Sequence, residues 1–211
     1  MSQIETKHLT SVLEQHTRSM KGKTVAITGT TSGTGYVCAR ELAKLGATVL
    51  LLNRQSARAD EALAKLQSEV PDGRFEAITC DLQDFDSVRA AAAEIKSRHN
   101  RLDVLCNNAG VMALPDQATK DGYDVQMQTN SISPFLLTKE LFPLLKASDD
   151  GRVVSHTSMA RLGPPHEAKY FSKSGGDLGG DGPTFEHHVG AVGATVRRQG
   201  RTKRAGQQHD R

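Results

Sequence analysis

The chain has 211 residues, room for one domain or one domain with a tail, and no apolar run approaching the ~18 residues that span a bilayer. Hydrophobic residues make up 37% and mean hydropathy is −0.45, both low for a sheet covered on two faces, so some segment contributes nothing to a core. The net charge of +3 hides an asymmetry: residues 187–211 carry +5 and the remainder −2, which excludes a basic surface over the whole domain.

In chain order, residues 1–20 are polar and mixed in charge. They do not form a secretory signal and read as a short helical extension with Leu9, Val12, Leu13 and His16 along one side. Thr24–Ile27 is an apolar strand, and Tyr36 to Leu45 a helix. Thr48–Leu52 is a continuous apolar run, the pattern of a strand buried on both faces. Leu63, Leu66 and Val70 set a helix over 57–70, ended by Pro71-Asp72-Gly73. A strand follows at 75–79, an Ala-rich helix at 85–98 and a strand at 102–105. A long helix runs over 119–146 with Pro134 bending it, and a fifth strand covers 152–155.

Strands alternating with helices imply an α/β fold with a doubly wound parallel sheet, Rossmann-type and three-layered, incomplete at its C-terminal end. The domain spans 21–182. Residues 183–211 form a basic tail, and from His187 on it has no Leu, Ile, Phe or Met, so it reads as disordered. It shows no aromatic interleaving, and no nucleic-acid partner is expected. Cys38, Cys80 and Cys106 lack metal or redox spacing, which suits free thiols in a reducing, cytoplasmic compartment.

The chemistry begins between the first strand and helix, in Thr28-Gly29-Thr30-Thr31-Ser32-Gly33-Thr34-Gly35. A strand turning on glycines into a helix gathers unpaired N–H groups and the positive helix end at one point, which accepts a phosphate. The G-x-x-x-G-x-G spacing led by Thr28 resembles the short-chain dehydrogenase/reductase family rather than G-x-G-x-x-G. Three matches follow in register: Asp81-Leu82 after the third strand, Asn107-Asn108-Ala109-Gly110 after the fourth, and Asn130 in the long helix. The resemblance covers about 21–182 and is strongest to the retinol dehydrogenase branch.

The resemblance implies an oxidoreductase interconverting a carbonyl and an alcohol on a small molecule. Its dinucleotide would lie along Gly29, Thr31, Ser32, Gly33, Thr34 and Gly35, with Asp81 and Leu82 at the adenine and Asn108, Ala109 and Gly110 beside it. The second strand ends in Asn53-Arg54 where an acid would favour NAD(H). A neutral amide and a guanidinium suit a 2′-phosphate, so NADP(H) is the expected cofactor. No metal site is expected.

For catalysis the resemblance assigns Ser158 to the substrate oxygen, with Ser155 and Thr157 as weaker alternatives, and Asn130 to a proton-relay water. The family also needs a tyrosine with a lysine four residues on, where the nearby ammonium stabilises the tyrosinate. Four residues after Tyr36, Tyr123 and Tyr170 stand Arg40, Met127 and Ser174, so no such pair exists here. Lys173 follows Tyr170 by three; in the branch this chain resembles, a Gly-rich insertion like 175–182 precedes the catalytic tyrosine, which implies that Tyr170 is an insertion residue, with the acid/base role as the weaker alternative. A shifted reading frame from about residue 186 would explain the missing pair. The sequence therefore predicts an impaired enzyme or, alternatively, a non-catalytic NADP(H)-binding module. A homodimer through the long helix is compatible with the family.

Overall fold

The computed structural model describes residues 18–112, 114, 117–158 and 173. The expected leading helix within residues 1–17, the Gly-rich run and the tail lie outside these residues. Strands β1 (Thr24–Thr28), β2 (Thr48–Asn53), β3 (Arg74–Thr79), β4 (Val104–Asn107) and β5 (Arg152–Ser155) form one parallel sheet in the order β3-β2-β1-β4-β5. Helices α1 (Gly33–Lys44), α2 (Ala57–Glu69) and α3 (Phe85–Arg98) alternate with them, followed by α4 (Val125–Met127), a π-turn at Gln128–Ile132 and α5 (Ser133–Lys146). The doubly wound Rossmann-type sheet is the one the sequence implies.

The two-residue period of the strands sorts their apolar side chains onto two cores. Val25, Ile27, Val49 and Leu51 pack with Ala39 and Ala43 of α1 and Leu66 of α2. Ala26, Leu50, Leu52 and Leu105 pack on the other side with Val88 and Ile95 of α3 and Leu137 and Leu141 of α5. Met20 already belongs to the first core, and its N–H donates to Leu45 O, so the domain begins before residue 21.

Three elements differ from the sequence reading by more than one residue. Helix α1 starts at Gly33 rather than Tyr36, because glycines that read as a turn form its first turn. Strand β4 lies two residues later than 102–105. Leu102 is fully buried beneath α5, bonding Leu144 O, while the polar Asn107 extends the strand against Ser155. The helix predicted from residue 119 starts at Val125, where the Asp124 side chain caps the N–H groups of Gln126 and Met127. The bend expected at Pro134 is realised as the π-turn: the Ser133 N–H bonds to Gln128 O, and Pro134 enters the first turn of α5.

At the amino ends of the strands, Asp103 is buried and accepts from Lys23 Nζ (2.9 Å), the Thr24 N–H (2.9 Å) and the Ser148 hydroxyl (2.7 Å). Burial alone would raise its pKa, but the bonds from Lys23, Thr24 and Ser148 outweigh it and hold the carboxyl below its usual value. This stabilisation is complete above the unfolded value of ~3.9 and is lost as pH falls through the lower folded value. Asp103→Ala is expected to cost on the order of 2–4 kcal/mol in urea denaturation at pH 7, leaving the Thr24 N–H unpaired. The deficit relative to the unsubstituted protein shrinks below pH ~4.

Candidate functional site

The carboxyl ends of all five strands open into one cleft of about 400 Å³. In an open parallel sheet this is where ligands bind, outside the strand ends where the winding reverses. Its wall comes from the glycine turn after β1, the ends of β2 and β3, the loop after β4, and His156 after β5.

The glycine turn is built for close approach. Gly29 has φ +73°, and a Cβ there would lie 2.9 Å from Ala109. A Cβ on Gly35 would strike the Gly29 carbonyl oxygen and sit 2.5 Å from Asn108 Nδ2. Gly33 has φ +57° but open space around it, so only its backbone conformation calls for glycine.

The start of α1 also differs electrostatically from its neighbours. Ser56 caps α2 by accepting from the Ala59 N–H, and Asp84 caps α3 through the N–H groups of Asp86 and Ser87. Both helices carry an acid in the first turn, Asp60 and Asp86. Helix α1 has no side-chain cap from Ser32 and no acid in its first turn. Its amino end keeps its positive potential for an external anion, so the residues fit the phosphates of a dinucleotide.

Four polar side chains brace this wall from behind. The Thr28 hydroxyl accepts from both the Asn108 and Ala109 N–H groups, each at 3.0 Å. The Asn108 amide returns hydrogen bonds to the carbonyls of Thr28 (3.0 Å) and Gly29 (3.1 Å). Asn53 takes the Thr30 N–H on its oxygen and donates its amide to the Thr30 hydroxyl, both at 2.8 Å. Asn130, buried at the π-turn, accepts from the Val111 N–H and donates to the Val111 carbonyl.

Of the sequence-predicted cofactor residues, Gly29, Thr31, Ser32, Thr34, Gly35, Asn53, Arg54, Asp81, Leu82, Asn108, Ala109 and Gly110 line the cleft, and Gly33 lies in the same turn without lining it. Asp81 Oδ1 accepts from the Gln83 N–H. Asn53 is not free to read a ribose, since both ends of its amide hold Thr30. Asn130 stands behind the wall, and Ser158 is exposed three residues beyond β5, outside the lining. The Thr157 hydroxyl is buried with no hydrogen-bond partner among the described residues. Tyr170 lies outside the described residues. Lys173 lies over the Tyr123 ring, 5.7 Å from its centroid, and not in the cleft.

Sequence reasoning missed Arg58 and His156. Arg58 donates to the Ser32 hydroxyl at 2.7 Å; its position early in α2, just past the strand end, was the available signal. His156 Nδ1 lies 3.2 Å from Asn108 Oδ1. Cys80 lines the cleft, but burial, then the Asp81 charge, push its thiol up to about 12, so it stays protonated and non-nucleophilic. Among the described residues no group of His, Cys, Asp and Glu could hold a metal.

The short chain dehydrogenase family model matches residues 23–176. The chain belongs to the short-chain dehydrogenases. Mouse retinol dehydrogenase 14 is 43% identical over 145 residues, covering 64% of this chain and 43% of the relative. Human retinol dehydrogenase 13 is 36% identical over 144 residues, covering 68% and 44%, which places this short-chain dehydrogenase in a retinol dehydrogenase-like branch. The chain spans less than half the length of these relatives. A crystal structure of a protein from Mycobacterium Paratuberculosis superimposes with TM-score 0.66 at 34% identity, covering 82% of this chain and 59% of that one. An NADP active-site complex of Pseudomonas aeruginosa RhlG gives 0.59 at 29%, covering 72% and 59%. No described helix of this short-chain dehydrogenase is long and apolar enough to cross a membrane.

The glycine geometry separates two substitutions. Gly35→Ala must push the Gly29 carbonyl or the Asn108 amide aside, and is expected to cost about 3 kcal/mol, the upper end of the range for overpacked cores, with loss of dinucleotide binding. Gly33→Ala meets no atom and costs only about 1 kcal/mol of backbone strain. Thermal melts with a dinucleotide titration on each variant check the contrast.

Proposed function

We propose that this chain binds NADP(H) in preference to NAD(H), as part of an oxidoreductase that interconverts a carbonyl and an alcohol on a small molecule. The observation that carries the reading is the uncapped, acid-free start of α1 on its glycine turn, flanked by Arg54 at the end of β2. Membership of the short-chain dehydrogenases and the NADP-bound RhlG structure support it.

In this reading the glycine turn holds the pyrophosphate and Arg54 faces the 2′-phosphate, where Asn53 supplies no repelling carboxylate. Asp81 and Leu82 border the adenine, and Asn108 to Gly110 run along the remainder. Bound there, the dinucleotide supplies or accepts a hydride. The Ser158 hydroxyl holds the substrate oxygen. Asn130 spends its amide on Val111, so its contribution to a relay water is its main-chain carbonyl, to which Pro134 has no N–H to donate.

The second reading, a module that binds NADP(H) without turnover, is favoured by the sequence of the three tyrosines, none followed four residues later by lysine. Without that acid/base, turnover is expected to fall by roughly 10²–10⁴. NADPH titration by fluorescence, followed by an aldehyde, ketone and alcohol screen on the same sample, tests both. Saturable binding with slow turnover supports the impaired enzyme, and binding with none supports the module. Folded protein that binds neither reduced dinucleotide overturns both.

A further inference from the structure

We propose that His156 is the acid/base of this site and passes a proton between its Nε2 and the substrate oxygen, the role left open by the missing tyrosine–lysine pair; this rests on the oxidoreductase reading above. Two contacts hold the residue just past β5. Its N–H donates to Asn107 O at 2.8 Å, which carries the β4–β5 ladder one step beyond Ser155. Its Nδ1 lies 3.2 Å from Asn108 Oδ1. The second contact fixes the tautomer. Asn108 spends Nδ2 on the carbonyls of Thr28 and Gly29, so the atom turned to His156 is the oxygen, which only accepts. Nδ1 must therefore carry the hydrogen, and in the neutral ring the lone pair falls on Nε2. A third group that orients an imidazole leaves its far nitrogen as the base.

The position suits that role. Across the sheet order β3-β2-β1-β4-β5, Asp81 lies on the β3 side of the cleft and His156 on the β5 side, with the glycine turn between them. A dinucleotide with its adenine at Asp81 and its pyrophosphate at the turn presents its reacting end toward His156. Exposure alternates from Arg152 to Ser158, so His156 and Ser158 fall on the same exposed row, one period apart. Among the described residues of the lining, no other group competes for the proton. Arg54 and Arg58 keep theirs, Cys80 stays protonated, and Asp81 lies at the far side with Oδ1 on the Gln83 N–H. Neither Tyr36 nor Tyr123 lines the cleft. In the oxidative direction Nε2 accepts the hydroxyl proton and the electrons of that O–H bond close the C=O bond. The hydrogen on the carbon leaves with its electron pair, as hydride, to the oxidised dinucleotide. His156 is exposed and returns the proton to solvent. In reduction the imidazolium protonates the oxygen as the carbon receives hydride.

The test uses the full-length chain, with circular dichroism confirming that each variant is folded. NMR of the nitrogen-labelled imidazole, with no dinucleotide present, should show the hydrogen of neutral His156 on Nδ1; a hydrogen on Nε2 overturns the proposal. NADPH titration should give the same affinity for the unsubstituted chain, His156→Gln and His156→Ala. NADPH oxidation with p-nitrobenzaldehyde, decanal and cyclohexanone should fall by roughly a hundredfold in both variants. Free imidazole should restore part of the turnover of His156→Ala. Variants as fast as the unsubstituted chain overturn the proposal while leaving the oxidoreductase reading in place. A loss that imidazole does not restore also overturns it, since His156 then only positions other groups. NADPH binding with no turnover by the unsubstituted chain overturns it too, and leaves the binding module. Should the folded chain bind no NADPH, the reading of the site itself fails, independently of His156.

Discussion

The cleft depends on how closely β1 and β4 can approach as they leave the sheet. Thr28 and Asn108 exchange side-chain and backbone hydrogen bonds at this point, and the absence of side chains at Gly29 and Gly35 lets the two chains touch. The Thr28 hydroxyl oxygen and the Asn108 amide are both spent on partners within the protein. The uncapped amino end of α1 is left facing the cleft. A buried junction with these groups unpaired would be costly, so the same bonds that stabilise the fold also decide which groups a ligand meets.

Much of this was legible in the sequence, because β1 and β2 are covered on both faces and their apolar runs are continuous. Leu50, Leu51 and Leu52 fall alternately on two cores, a pattern that marks a buried parallel strand from residue types alone. The glycine turn and the Asn107 to Gly110 run were equally readable, since each depends on residues with few other uses. Boundaries were harder where polar residues do structural work. Asn107 extends β4 because Thr138 meets its amide from α5, a partner 31 positions away that no local pattern reveals.

The roles of three polar side chains were also hidden. Asn53 is expected beside the 2′-phosphate, yet both ends of its amide hold Thr30; Asn130 is expected to hold a water, yet its side chain holds Val111. Residue type told which chemistry was available, and only the direction of the side chain told where it was spent. Arg58 is the converse. On the sequence it is one charge on a solvated helix, and it acquires meaning only because α2 starts beside the turn that begins α1.

The Asn53–Thr30 pair bears on kinetics. It joins the end of one strand to the loop leaving the next through two bonds of 2.8 Å, so the loop's shape is settled before any ligand arrives. Association then requires no folding of the loop, and little conformational entropy is left to lose on contact. Encounter should accordingly be governed by diffusion and long-range attraction to the guanidinium side, a rate that slows as ionic strength rises while the architecture stays the same.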